Sequence, residues 1–270
     1  MKDVKWIIQN WNREISYTNL AEAATKANYP VKLITGDFKW PDYQGYIDDC
    51  VIFCGSIQTT KQARDRFPGC VPIVYSSFDK FLCSRYYSHF GAYLFNDVYS
   101  LVSLREFVRN KFFYYNTFGK EGCLFIRPDS GDKPFTAQVL DIMDVDRFLE
   151  NNKDQQHELV LLSTPKNIRW EGRFLVTKEN KIIAQSTYQY QGQVTKIPSV
   201  PPRSIKIVEE ILQQGYYPDS VFCIDLCEDN DGNFWLLELT SFSAAGLYAM
   251  DLDKVVAGVS AQAYDDWVNS

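Results

Sequence analysis

Hydrophobic and polar positions follow two different rhythms along this chain. In the first hundred residues, short apolar runs at 4–9, 31–35, 50–54 and 71–75 predict four strands. Between the first two, Leu20, Ala23, Ala24 and Ala27 recur at helical spacing behind Thr18, a helix-capping residue type. They predict a helix over 17–28, and a polar stretch predicts another over 58–66. Strand–helix alternation of this kind implies an α/β lobe, a small parallel sheet with helices on its faces. No G-x-G-x-x-G follows the first strand, so the lobe reads as a scaffold lining a cleft and not as a dinucleotide site.

The rhythm then changes. Leu101, Leu104, Phe107 and Phe112 predict a helix over 101–115. Strands are predicted at 123–127, 135–140 and 158–162, with a short helix over 144–151 behind Asp144. Alternating segments at 168–177 and 181–188 predict a hairpin turning at Glu179-Asn180. The polar, proline-containing stretch 189–202 predicts a surface loop, and 204–214 a helix. A second hairpin is predicted from 221–227 and 233–239, and a final helix from 253–268. Hairpins and helices in this order argue an α+β region, unlike the first lobe.

Composition narrows the classes. At 270 residues the chain is long enough for two lobes, and 46% apolar residues exclude a disordered polypeptide. A formal charge of -6 without a run of five like charges makes a nucleic-acid backbone an unlikely partner. No apolar run approaches a membrane span, and the charge-interrupted start Met1-Lys2-Asp3-Val4-Lys5-Trp6 does not read as a secretory leader. The expected location is cytoplasmic. Seven irregularly spaced cysteines argue against a disulfide framework, and Cys50/Cys54 and Cys223/Cys227 lie in apolar runs, as buried thiols do. The only histidines, His89 and His157, have no partner at metal-ligand spacing, which disfavours histidine chemistry.

Three segments carry candidate chemistry. In Phe125-Ile126-Arg127-Pro128-Asp129-Ser130-Gly131-Asp132-Lys133, a strand and a glycine loop present Arg127 and Lys133. The two cations suit phosphate, one as a planar fork and one as a point charge; a surface hairpin with solvated charges is the alternative. In Trp170-Glu171-Gly172-Arg173-Phe174-Leu175-Val176, strand alternation puts Glu171, Arg173 and Leu175 on one face. That pair either faces a cleft or forms a structural ion pair. Around the turn Asp229-Asn230-Asp231-Gly232, Asp225 and Glu238 share a face in either a two-residue or a four-residue turn register, with Thr240 beside them. Two acids in apolar strands need neutralising, by a divalent cation or by nearby Arg and Lys.

Taken together, Phe-Ile-Arg-Pro with a following Lys133, then Glu171-x-Arg173, then Ile224-Asp225-Leu226 and Glu238-Leu239-Thr240-Ser241-Phe242 resemble the ATP-grasp superfamily over roughly residues 93–252. They are most similar to a phage and bacterial branch in which arginine replaces the usual first-strand lysine. The resemblance implies a pre-ATP-grasp, Rossmann-like α/β lobe over 1–92 and an α+β ATP-grasp domain over 93–270, with subdomains 93–163 and 164–270. It implies ATP and Mg2+ as cofactors. Arg127, Lys133 and Arg173 would hold the nucleotide's phosphates, and Glu171 would belong to the same ATP site. The adenine would lie near the strand Glu158 to Leu162 and its exit at Ser163 (binding residues Leu162 and Ser163), where backbone groups can read its edge. Asp225, Glu238 and Thr240 would hold the metal; Thr240 stands where many relatives carry Asn, and a hydroxyl is the weaker ligand. The implied reaction joins a carboxylate to an amine through an acyl phosphate. A small-molecule kinase and a non-catalytic nucleotide-binding protein are the competing readings. The segment Ser241-Phe242-Ser243-Ala244-Ala245-Gly246-Leu247-Tyr248 suits either an acceptor pocket, with Ser243 and Tyr248, or a tight loop closed by an aromatic.

Overall fold

A computed structural model describes residues 4–10, 15–35 and 49–270. The charged start at Met1-Lys2-Asp3 lies outside the described residues. The chain opens with β1 (Val4–Gln9), α1 (Ile15–Lys26), β2 (Val31–Ile34), β3 (Cys50–Cys54) and α2 (Ile57–Arg66). The three strands form a parallel sheet in the order β2-β1-β3. All five residues of β3 are buried, which is why it reads as a continuous apolar run. The predicted strand at 71–75 does not form. Ile73 makes only an isolated bridge to Ile52, and its φ of 46° takes the backbone out of the extended region.

A single 3-10 turn, Phe78–Phe81, leads into α3 (Cys83–Phe90). There follow β4 (Tyr99–Ser103), α4 (Leu104–Arg109), α5 (Lys111–Phe118), β5 (Cys123–Pro128), β6 (Gln138–Asp141), α6 (Val145–Asn151) and β7 (Leu159–Ser163). The helix predicted over 101–115 is therefore a strand and two helices. Leu101 pairs with Leu161 across an antiparallel ladder, and Ser103 then caps α4 by accepting from Glu106 N–H at 3.1 Å. Long-range pairing overrides the helical spacing of Leu101 and Leu104. The strand predicted over 135–140 starts late, because Phe135 packs edge-on against Phe148 at 5.2 Å in the core of this region. These strands form an antiparallel sheet in the order β4-β7-β5-β6.

The remainder is β8 (Trp170–Thr177), β9 (Ile182–Tyr190), β10 (Gln193–Ile197), α7 (Pro202–Leu212), β11 (Val221–Glu228), β12 (Phe234–Ser241) and α8 (Leu252–Val268). The stretch expected as a loop, 189–202, contains β10. Gln191 and Gly192, with φ of 49° and 74°, make the two-residue turn that folds it back on β9. The five-stranded sheet runs β10-β9-β8-β11-β12. One of its faces, with Trp170, Phe174, Phe222, Ile224, Leu226 and Leu236, is buried under α3 and α7. The opposite face carries the charges.

The α8 helix packs with α1, β1 and β3 in a core that also takes in Leu175, Ile183, Val221 and Cys223 of β8, β9 and β11. Trp6 Nε1 donates to Ser260 Oγ at 3.1 Å and Tyr75 Oη to Asp266 Oδ2 at 3.0 Å. The three parallel strands thus share one core with the chain's last helix. The cysteines of β3 and β11 are buried, as expected. Among the described residues no helix is long and apolar enough to cross a membrane.

Candidate functional site

The hairpin β11–β12 shows how the sequence sets the site. Glu228 opposes Phe234, a register set by an odd-numbered turn, neither of the two expected. Continued unchanged, that register would put Leu237 opposite Asp225 and turn Glu238 to the apolar face. A β-bulge between Asp225 and Leu226, with Leu237 as the extra residue, restores Asp225 opposite Glu238. A second bulge works the same way one strand along. Glu171 pairs with Gln189 but Gly172 with Thr187, so Tyr188 is the extra residue. Gly172 leaves room for the Trp170 indole, which a Cβ would meet at 2.3 Å. Trp170 Nε1 donates to Thr187 Oγ1 at 2.9 Å and fixes this crossing.

Arg127 arrives from the other sheet, on β5, where it pairs with Leu161 of β7. The loop after it is held at three points, which excludes the solvated-hairpin alternative. Asp129 accepts from both the N–H and the Oγ of Ser84 at 2.7 Å, at the start of α3. Gly131 lies so close to Phe81 that a Cβ would sit 3.3 Å from its Cβ. Asp132 pairs with Lys61 of α2 at 3.0 Å. The left-handed residue of the loop is Lys133, with φ of 49°, and not Gly131.

The five charges expected at the phosphates and the metal converge. Arg173 donates from Nε and Nη2 to both oxygens of Asp225 at 2.7 Å, and from Nη1 to Gly246 O at 3.0 Å. Arg127 donates to Glu238 Oε2 at 3.1 Å and to Leu237 O at 3.3 Å. Lys133 Nζ donates to Glu238 Oε1 at 3.2 Å, and Thr240 Oγ1 to the same oxygen at 3.3 Å. Burial opposes ionisation of Glu238, yet Lys133, Arg127 and Arg173 together hold its carboxyl at about 2. Burial pushes the Asp225 carboxyl up, and the two-pronged Arg173 contact opposes that push. With both oxygens taken by guanidinium N–H groups, the ionised pair is the form the geometry supports.

Glu171 sits on the same face but makes different contacts. Tyr188 Oη donates to its Oε2 at 2.8 Å, and Gln189 Nε2 to its Oε1. Burial, followed by the neighbouring acids, raises its pKa against the Tyr188 bond. Tyr188 stacks on Tyr248 with ring centroids 4.7 Å apart, and the Arg173 guanidinium lies 5.2 Å from the Tyr248 centroid.

Two expectations need correcting. Leu162 and Ser163 lie on β7, which is paired on both sides, by β4 and by β5. Their backbone groups belong to the sheet, the Leu162 side chain is in the core, and Ser163 Oγ donates to Val98 O at 3.0 Å. Only the residues after β7 leave the sheet. Thr164, Lys166 and Asn167 border a pocket of about 760 Å³ that Trp235 of β12 also lines. Ser243, expected at an acceptor pocket, is fully buried, and its hydroxyl accepts from Tyr75 N–H at 2.9 Å. It positions the loop from Tyr75 to Phe78.

A chamber opens beside Glu238. Arg127, Lys133 and Thr240 line it from the charged side, and Ser76, Phe78 and Phe81 from the other. The Nε of Arg127 and the Oγ of Ser76 are buried there without a hydrogen-bond partner. A second pocket of about 650 Å³, lined by Tyr17, Ser56 and Gln58, adjoins it through Ile57 and Ala244. The residues from Ser76 to Phe81 were not legible as site residues. Their one signal is that Ser76 ends an apolar run, and ligands collect at the carboxyl ends of such segments in α/β sheets.

Donor chemistry bears on whether a nucleotide and Mg2+ suit these residues. Three cations gather on this face with Asp225, Glu238 and Glu171, and Arg127 has an unused N–H. Among the described residues no three His, Cys, Asp or Glu side chains form a metal cage. Magnesium is commonly held by one or two carboxylates with phosphate oxygens completing its shell, so Asp225, Glu238 and the Thr240 hydroxyl fit that mode. Glu238 and Thr240 face the chamber, whereas Asp225 is closed off behind Arg173. A carboxylate has about four lone-pair sites, so the Arg173 contacts leave acceptor capacity on Asp225.

A charged sheet face meeting an arginine and a lysine from a second antiparallel sheet defines an ATP-grasp architecture. The chain matches the ATP-grasp domain, R2K clade family 2, over residues 104–257, and it belongs to that family. No curated protein matches it by sequence. Among solved structures, the D-cycloserine synthetase DcsG is similar with a TM-score of 0.63 at 11% identity, covering 96% of this chain and 99% of that one. The ATP-grasp ligase PsnB complexed with minimal precursor, Mg and ADP gives 0.58 at 11% identity, covering 98% and 99%. D-alanine–D-alanine ligase from Bacillus anthracis complexed with ATP gives 0.59 at 14% identity, covering 98% and 96%. At these identities the likeness establishes the ATP-grasp fold, with its mixed helices and sheets.

Proposed function

We propose that this protein is an ATP-dependent ligase that joins a carboxylic acid to an amine. The observation that carries the reading is the meeting of Arg127, Lys133 and Arg173, from separate segments, on the Asp225–Glu238 face at the mouth of a chamber. Family membership and ligases among the structural neighbours favour the same reading.

The nucleotide lies in the seam between 93–163 and 164–270, behind the α/β lobe of 1–92. Its base occupies the pocket where the chain leaves β7, against Trp235. Its phosphates extend along β12 toward Glu238, three residues or ~10 Å away at strand spacing. Arg127 and Lys133 take phosphate oxygens, and Arg173 with Glu171 borders them on β8. Asp225, Glu238 and Thr240 would hold Mg2+, which would supply charge neutralisation on the phosphate oxygens. Tyr248, stacked beside Arg173, flanks the acceptor side.

An oxygen of the acid attacks the γ-phosphorus, the bond from that phosphorus to the bridging oxygen breaks, and ADP leaves with the electron pair. The amine nitrogen then attacks the acyl carbon, the bond to phosphate breaks, phosphate departs, and the amine's proton passes to solvent. Positioning and charge neutralisation suffice for the first step, so no protein nucleophile is needed.

The test is ADP release in the presence of acids, with hydroxylamine as the amine. ADP formation that depends on the acid and yields a hydroxamate supports the ligase. A stable phosphorylated product without amine dependence would make the protein a kinase, and nucleotide binding without turnover a binding protein.

A further inference from the structure

The chamber beside Glu238 has two unlike walls. One is charged, with Arg127, Lys133 and Glu238, the acid with which both cations pair. The other is apolar, formed by Ile57 at the start of α2 and by Phe78 and Phe81. A phosphate-only site has no use for an apolar wall, because every phosphate oxygen left facing it forfeits its water.

The apolar wall is held rigidly. Tyr75 N–H donates to Ser243 Oγ at 2.9 Å, Ser77 N–H to Asp219 Oδ2 at 3.0 Å, and Phe78 N–H to Ser76 O at 2.9 Å. Phe81 is packed on Gly131, and the Arg64 guanidinium lies 4.4 Å from the Phe78 ring centroid. Within this fixed frame, Ser76 is 1% exposed and its hydroxyl has no partner. Buried hydroxyls are nearly always satisfied, so a buried one without a partner in the residues that line a chamber marks a place for a ligand atom. The Nε of Arg127 is unpartnered in the same chamber.

We propose that this chamber takes the acid substrate, and that the acid carries a compact, uncharged apolar group, aromatic or branched aliphatic. Its carboxylate lies toward Arg127 and Lys133 and accepts from the Ser76 hydroxyl. Its apolar group lies against Ile57, Phe78 and Phe81. A second carboxylate on the substrate would have to lie against that apolar wall unpaired, so diacids are excluded. This deepens the ligase reading and rests on it.

The test uses the full chain without nucleotide. Ligand-observed 19F NMR follows 4-fluorophenylacetate, displaced in turn by 3-methylbutanoate, succinate and inorganic phosphate. The expected result is displacement by 3-methylbutanoate at a concentration about ten-fold or more below that needed for succinate or phosphate. Ser76→Ala is expected to weaken 4-fluorophenylacetate binding by about five-fold while leaving Tm and ATP-dependent stabilisation unchanged, because the hydroxyl has no partner in the free protein. Equal displacement by phosphate or succinate, or no binding of the fluorinated acid, overturns the inference. So does a Ser76→Ala variant that loses Tm but keeps its acid affinity. Acid selectivity in a protein that ATP fails to stabilise would remove the ligase reading alone; lost selectivity with ATP stabilisation intact would remove this inference alone.

Discussion

Two guanidinium–carboxylate pairs sit on one sheet face, yet they are built differently. Arg173 and Asp225 are directly opposed on β8 and β11, both nearly sealed from solvent, and joined by two bonds of 2.7 Å. Arg127 reaches Glu238 from another sheet by a single bond of 3.1 Å, shares it with Lys133 and Thr240, and borders a chamber. The first pair has the geometry of a strut within the sheet. The second is a set of cations around one acid with capacity to spare. Both pairs keep acceptor capacity; what distinguishes the two is the open space beside Glu238, whereas Asp225 is closed off behind Arg173.

Asp225→Ala should have the largest effect. It leaves Arg173 buried and unpaired, and the expected loss is ~3–5 kcal/mol in denaturant melts. A loss below ~1 kcal/mol would erase the distinction between the pairs. Glu238→Gln should cost less, about 1–2 kcal/mol, because the chamber lets Lys133 regain water. It should also alter acid sensitivity. Glu238 ionises at about 2 in the folded protein against an ordinary 4.5, so it adds stability above 4.5 that disappears as pH falls toward 2. Melts of the Gln variant should lack that part of the acid loss.

A further expected effect concerns the chamber's rear support. Burial pushes the Asp219 carboxyl up to about 6, against the N–H groups of Ser77 and Ser220 that favour its charge. The folded state holds that proton more tightly than the unfolded chain does, so stability declines as pH rises from 3.8 to about 6. Asp219→Asn should flatten this decline. An unchanged slope would show that Asp219 does not titrate there.

The strands bearing charges were legible because alternation is strict on them: Glu171 and Arg173 share a face, as do Asp225, Glu238 and Thr240. Their register was not legible. The turn at Asp231-Gly232 looked even-numbered, and only the bulge at Leu237 returns Glu238 to the charged face. Local spacing cannot reveal a bulge that compensates a turn several residues away. For the same reason β4 read as helix, since its pairing partner, β7, lies about sixty residues downstream. The Ser76–Phe81 wall was hidden altogether, because its residues acquire meaning only when the Gly131 loop and Ser243 pack around them. That the edge of β7 at Leu162 and Ser163 is covered was not legible either, because β4 was not foreseen as a strand.

The most direct test is titration of Mg2+ with a non-hydrolysable ATP analogue into the wild-type protein and into Lys133→Ala. Lys133 is half-exposed, so its loss should leave Tm nearly intact. Binding should weaken by ten-fold or more, on the order of 1.4 kcal/mol, and omission of Mg2+ should weaken it in the wild type. Equal affinity in both proteins would contradict a polyphosphate held between Arg127, Lys133 and the Asp225–Glu238 face.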